Sequence, residues 1–251
     1  MSRSFQWEAS HVAGLTLTAV VLAWELLARL LAAPALPSPS AVGSMAWWLA
    51  EEGTLATDLI DSLTRVWTGF SVAAVLGLSL GAAGALGGRW TAGLRALVAV
   101  LRPIPPIAWI PLSILWFGLG DPSAWFIVFV GAFSPIFVQT CWALSRCPRG
   151  FLELAHSLGA GSWLTFKRVR IPAAAPGVVA GLRTGLGLAW TSVIAAELVG
   201  AQSGLGYRIQ MHRVVVETDG VIVGMVCIGL CGLAMDTLAR QVERRIVDWA
   251  P

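Results

Sequence analysis

The sequence predicts an all-α, polytopic membrane protein with six transmembrane helices, and three observations carry that prediction. Hydrophobic residues fill 57% of the 251 positions and charged residues only 12%, against roughly 45–50% and about 25% in soluble domains. Six stretches reach the ~20 apolar residues that a bilayer core asks of a helix. Basic residues, finally, gather in alternate loops between those stretches. A formal charge of +3 distributed in this way offers no basic patch for a nucleic-acid partner, and the first partner is the lipid bilayer.

The first span is read over residues 11–33. Its flank "AAPALP" offers a cleavage-like Ala33-Pro34-Ala35 site. Glu25 and Arg29 nevertheless interrupt the apolar run, and their i, i+4 order suits a helical ion pair near a membrane face. A retained span is therefore expected, not a leader peptide. Pro37 and Pro39 stiffen the chain just after this span. The stretch "SMAWWLAEEGTLATDLIDSL" then alternates Trp47 and Trp48 with acids, the pattern of an external interfacial helix.

The second span is placed at 66–87, where Gly77 and Gly81, then Gly84 and Gly88, stand four apart and allow close helix packing; Gly181 and Gly185 repeat the spacing later. The third, 97–117, carries Pro103, Pro105, Pro106 and Pro111 and cannot be one regular helix. Broken helices expose backbone groups and commonly line solute paths. Arg102 beside the break reads either as a headgroup anchor or as a path residue. The fourth span is 124–144. In the fifth, 176–200, Arg183 and Glu197 are about 21 Å apart along a helix and cannot pair with each other. The sixth is 221–239. The acids assigned to spans, Glu25 and Glu197, both lie toward span ends. Residues 1–65 thus form an N-terminal span with its external segment, and 66–251 a five-span core carrying a polar loop at 146–175.

Orientation is set by the loops. Arg3, Arg89, Arg95, Arg146, Arg149, Lys167, Arg168, Arg170, Arg240, Arg244 and Arg245 fall on one side, against Arg65, Arg208 and Arg213 on the other. The positive-inside rule places both termini in the cytoplasm.

The loop is the most polar part of the chain. Pro148 is suited to start a helix in which Phe151, Leu154, Ala155 and Leu158 make one apolar stripe. Gly159 can take the left-handed conformation that closes a helix. Ser162 can cap a second short helix with Trp163, Phe166 and a basic trio, which Pro172 ends. A helix-turn-helix lying under the bilayer is expected.

Enzymatic chemistry finds no support. Cys141, Cys147, Cys227 and Cys231 lack paired spacing or neighbouring histidines and read as packing residues. The single lysine, Lys167, comes directly after Phe166, so the chain has no Gly-Lys-Ser/Thr phosphate loop. "GLGY" at 204–207 lacks a third glycine and reads as a turn. No catalytic residue and no metal site is assigned.

Spacing in the loop identifies a resemblance. Glu153-Leu154-Ala155, three residues, Gly159, nine residues, then Val169-Arg170-Ile171-Pro172 is similar to the EAA signature of ABC importer permeases. Leu154 replaces the usual alanine, and Val169 and Ile171 replace Ile and Leu. "LRPIPPIAWIPLSILWFGLG", "SPIFVQT", "PGVVAGLRTGLGLAW", "AAELVGAQSGLGY" and "ERRIVDW" extend the likeness from about Leu36 to Trp249. They resemble the subgroup that handles nitrate, sulfonates, taurine and bicarbonate.

The resemblance implies a MetI-like, binding-protein-dependent permease fold, paired with a second copy as a homodimer around a central path in a bacterial-type inner membrane. It implies that Glu153, Leu154, Ala155, His156, Gly159 and Pro172 dock a cytoplasmic ABC ATPase dimer. No cofactor is then held by this chain, ATP and magnesium being bound by the ATPase. An external substrate-binding protein would deliver a small anionic or zwitterionic solute, and the two halves would work by alternating access. Arg102, Pro105, Pro106, Arg183 and Glu197 are the candidate path or gate residues. The alternative, a secondary transporter driven by an ion gradient, would want midplane acids or paired repeats.

Overall fold

A computed structural model describes residues 3–31, 33, 35–85, 87 and 89–247; the side chains of 3–13 and 89 are outside the description, as is Gly88. Among the described residues every regular element is a helix: α1 (Arg3–Leu31), α2 (Pro39–Glu51), α3 (Thr54–Ala85), α4 (Arg89–Leu101), α5 (Ile110–Phe117), α6 (Asp121–Ser145), α7 (Arg149–Ser157), α8 (Ser162–Thr165), α9 (Ile171–Gly200), α10 (Leu205–Val214) and α11 (Thr218–Ile246). A 3-10 turn, Pro106–Trp109, leads into α5, and a π-helical segment, Phe166–Arg170, joins α8 to α9.

Five helices are long and apolar enough to cross a membrane, and the sixth candidate is a pair, Trp90–Leu101 with Pro106–Phe117, bent by 91°. The bend falls at Pro103, Pro105 and Pro106, whose missing N–H groups and fixed φ forbid a continuous ladder.

The core is a sandwich of three helices with α6 in the middle, between α3 and α9. Small residues set the spacing. Ile136 of α6 is fully buried between two glycines, and an added Cβ would come within 2.8 Å of it at Gly77 and 2.7 Å at Gly185. Without a hydrophobic drive between helices in lipid, such close van der Waals contact is what holds them together. Val66, Ala73, Val128, Ala132, Ala189 and Val193 complete this core. α11 leans on α9, where the Trp190 indole N–H donates to the Ile228 carbonyl at 3.1 Å.

α1 packs little, exposing Leu15, Leu22 and Leu30. Its tether is Glu25, which accepts from Arg29 at 2.6 Å, the expected ion pair, and also from the Ser40 amide and hydroxyl at 3.1 and 3.0 Å. A carboxylate at the first turn of α2 satisfies free amides and suits the helix dipole.

The helix boundaries correct three expectations. The external interfacial segment divides: α2 ends at Glu51, Gly53 turns the chain at φ +74°, and Thr54 opens α3, which as a candidate span runs from Thr54 rather than from 66. The boundary at 65/66 therefore falls inside a helix. "GLGY" is a turn only at Gly204; its other three residues open α10, which starts at Leu205. Pro172 does not end the second loop helix. Ser162 to Gly200 is one continuous 39-residue helix, and the Ile171 amide bonds back to the Phe166 carbonyl one residue further than α-helix geometry. A proline has no N–H for the residue four earlier and crowds its carbonyl, and widening to a π turn relieves both.

Candidate functional site

Three places combine polar chemistry with an unusual backbone. The first is the loop. α7 closes on Gly159 at φ +74°, with the Gly159 amide donating to the His156 carbonyl at 2.9 Å and the Ala160 amide to the Ala155 carbonyl at 2.9 Å. This is a Schellman closure, and it requires the left-handed residue that glycine supplies without strain. Ala155 is the one buried residue of α7. The rest of the apolar stripe is not covered: Phe151, Leu154 and Leu158 are 56%, 58% and 77% exposed. With Leu164, Val169 and Pro172 they line a groove of 670 Å³. Glu153 is exposed, and His156 faces a smaller hollow with Trp163 and Arg170. Gly161, not Ser162, precedes α8, and no side chain caps it.

The second place is a cavity of 520 Å³ at the bend between α4 and α5, walled also by α6 and α9. Arg102 and Pro106 line it; Pro105, just before, holds the extended conformation that turns the chain. Phe129, Phe133 and Leu188 give it apolar sides, with Ser134 and Gln139 on α6.

The third place lies at the other end of α9. Glu197, 1% exposed, accepts from the Ser62 hydroxyl at 2.8 and 2.9 Å, from Arg65 at 2.9 Å and from the Gly206 amide at 2.9 Å. Arg65 also donates to Asp121 at 2.7 Å and to the carbonyl and hydroxyl of Ser203 at 2.6 and 2.8 Å. Asp58 accepts from the Gly204 amide at 2.9 Å and from Arg208 at 2.6 Å, and Ser62 accepts the Leu205 amide at 2.9 Å. α10 has no capping side chain of its own; three side chains from α3 and α9 meet its first amides instead. Gly204, at φ +106°, lies so close that an added Cβ would run into the Glu197 carboxylate and Arg65.

Arg183 is held apart from all three. It donates to Asp236 at 2.9 Å and to Glu243 at 3.1 Å on α11, and Arg240 shares Asp236. Asp236 corrects the reading of the spans from sequence, in which only Glu25 and Glu197 counted as acids.

Sequence reasoning named Glu197 but not its partners. The signal was present: Asp58, Ser62 and Arg65 are spaced by four and three on the face that continues as Gly69, Ala73, Gly77 and Gly81. That small-residue stripe was legible as an interface, and the polar residues extend it.

Comparison with known proteins is consistent along the chain. Residues 73–248 match the family described as binding-protein-dependent transport system inner membrane component. SsuC of Escherichia coli, a permease protein named for aliphatic sulfonates transport, is 36% identical over 92% of this chain and 89% of its own. The taurine transport system permease protein TauC of the same organism is 31% identical over 79% and 72% of the two chains. The nitrate import permease protein NrtB of Synechococcus elongatus is 31% identical over 89% and 85%. Among solved structures, a chain of the MetNI methionine ABC transporter in an inward-facing conformation superposes with a TM-score of 0.60, at 23% identity over 78% of this chain and 96% of that one. The chain thus belongs to the inner-membrane components of binding-protein-dependent transport systems, and it is an ABC importer permease.

Proposed function

We propose that this permease works as a homodimer with both termini cytoplasmic, carrying a small anionic or zwitterionic solute of the nitrate, sulfonate, taurine or bicarbonate type. An external binding protein delivers the solute, and a cytoplasmic ATPase dimer, which binds ATP and magnesium, docks on the α7–α8 loop. Glu153, Leu154, Ala155, His156, Gly159 and Pro172 form or shape the docking surface. ATP binding draws the two docked loops together, and each pulls its six-span half so that the path opens first outward and then inward. The helices from α3 onward act as the moving core, with α1 and α2 as an outer attachment. Arg102, Pro105 and Pro106 border the path. Arg183 and Glu197, each locked in an ion network, act on it as fixed supports of its two ends.

The observation that carries this reading is the uncovered apolar groove of a loop that is otherwise tightly closed by Gly159. A helix with its apolar stripe bare lacks a partner, and the same loop runs without interruption into α9. Rigid elements transmit displacement where a flexible linker would absorb it.

Reconstitution with candidate ATPase and binding protein tests it. Uptake is expected to require ATP. Glu153→Ala and Gly159→Val are expected to leave insertion normal while separating ATP hydrolysis from uptake. Unchanged uptake in both variants would count against the docking role, and uptake driven by a proton gradient without any ATPase would favour a secondary transporter.

A further inference from the structure

We infer that the hollow between α7 and the base of the α8–α9 helix holds the headgroup of an anionic phospholipid. Arg170, Ser162 and the ring N–H of His156 take its phosphate. The site goes beyond the proposed transport role, and only its placement in the cytoplasmic leaflet rests on that reading.

The loop presents two recesses that share only Thr165. The apolar groove takes Phe151, Leu154 and Leu158 from α7, with Arg168 opposite. The second, of 370 Å³, takes Leu152 and His156, which stand four apart on another face of the same helix. Opposite them come Trp163, Phe166 and Arg170, spaced by three and four along one face of the continuous helix. Lys167 lines neither recess. The second hollow therefore has its own walls and asks for its own occupant.

Charge gives the sign of that occupant. Arg170 is half-buried, while Lys167 and Arg168 stand exposed. Among the described residues its side chain has no hydrogen-bond or ion-pair partner, nor do those of His156 and Ser162, and no carboxylate lines the hollow. Arg65 and Arg183, by contrast, are each answered by two acids. A guanidinium partly withdrawn from water without a counter-ion is costly. Its fork of N–H groups, a hydroxyl that rotates to donate and an imidazole N–H suit the several acceptor oxygens of a phosphate.

Position makes the phosphate that of a lipid. A helix of 39 residues is about 58 Å long, well beyond the ~30 Å hydrocarbon core, so its first turns stand in the headgroup layer. Trp163 is 74% exposed and stacks on Phe166 at 6.0 Å between centroids and 24° between planes. Aromatic rings of this kind settle at the membrane interface. Beside Arg170, Ile171 is 47% exposed and offers the acyl chains an apolar surface to follow. Basic pockets at the cytoplasmic ends of spans hold anionic headgroups by the same combination.

The purified permease in detergent, without ATPase or binding protein, is titrated with dioleoylphosphatidylglycerol, and bound lipid is counted by native mass spectrometry. One tight site per subunit is expected, with dioleoylphosphatidylcholine bound at least about 10-fold more weakly, as loss of one charged contact implies. R170Q is expected to weaken the tight site by about 10- to 100-fold, the range of one charged hydrogen-bonded contact. R170K should lose less, and S162A a few fold. K167Q, which removes the same charge outside the hollow, should cost no more than about fivefold, the contribution of one basic residue near an anionic surface. Equal losses in K167Q and R170Q would reduce the binding to diffuse surface charge and overturn the inference, as would equal affinity for phosphatidylcholine. If R170Q does not fold, unchanged binding in both R170K and S162A would overturn it. Glycerol 3-phosphate should not displace the lipid at lipid-equivalent concentration; if it does, the ligand is a soluble phosphate and the lipid assignment fails. Added ATPase should leave the lipid in place, and its displacement would assign the hollow to the ATPase instead. ATP-dependent uptake is measured separately, so failure here leaves the permease reading standing.

Discussion

The two ends of α9 are built on opposite terms. At Glu197 every charge is answered: two arginines, three carboxylates, two hydroxyls and three backbone amides close on one another around the α9–α10 turn. At the loop end the helix begins among bare leucines and a groove with nothing in it from this chain. The first end is finished within the subunit; the second is left bare within it and, on the function proposed above, is finished by the ATPase. Stability should therefore live at one end and coupling at the other.

The largest effect expected on stability comes from Arg65→Met. It leaves Glu197 buried without its cation, a loss of about 3–5 kcal/mol, read as a lowered unfolding midpoint in detergent. Adding Glu197→Gln should recover part of that loss, and a neutral Arg65→Met would break the comparison. Next comes the three-helix core, where Gly77→Val or Gly185→Val forces Ile136 aside and should cost about 1–3 kcal/mol. Arg183→Gln should do less, because Arg183 and Asp236 are both about one-third exposed, at 33% and 37% of the side chain, and surface pairs contribute little. Its effect should shrink further in high salt, which separates it from Arg65→Met. The smallest effect on stability should come from Leu158→Asp, with an unchanged midpoint. That variant should still lose co-purification with the ATPase, and retained co-purification would show that the groove is not the docking surface.

Legibility in the sequence divides along the same line. Features set by local chain chemistry were readable: Gly159 as a left-handed closure, the proline-broken third span, the Glu25–Arg29 pair and the glycine spacing of α3 and α9. Features that depend on what lies opposite were not. Pro172 reads as a terminator because a proline ends an isolated helix, yet here the ladder widens by one residue and continues. Arg65 counted only as a loop charge on one side of the membrane and Asp58 only as an acid of the interfacial stretch, since Glu197, Ser203 and Arg208, their partners, are more than a hundred residues away. Asp236 was hidden by its hydrophobic surroundings. α10 was invisible because its cap comes from other helices, where a sequence reader looks for a serine or aspartate next door.

The unbroken passage from α8 into α9 has a geometric consequence. A rod of 39 residues is about 58 Å long at 1.5 Å per residue. Tipping such a rod by ~5° about its base would sweep its far tip through roughly 5 Å, about one helical pitch. That tip carries Glu197 and the turn it pins, so a nudge too small to rearrange the base could carry a whole ionic cluster sideways at the opposite face of the bilayer.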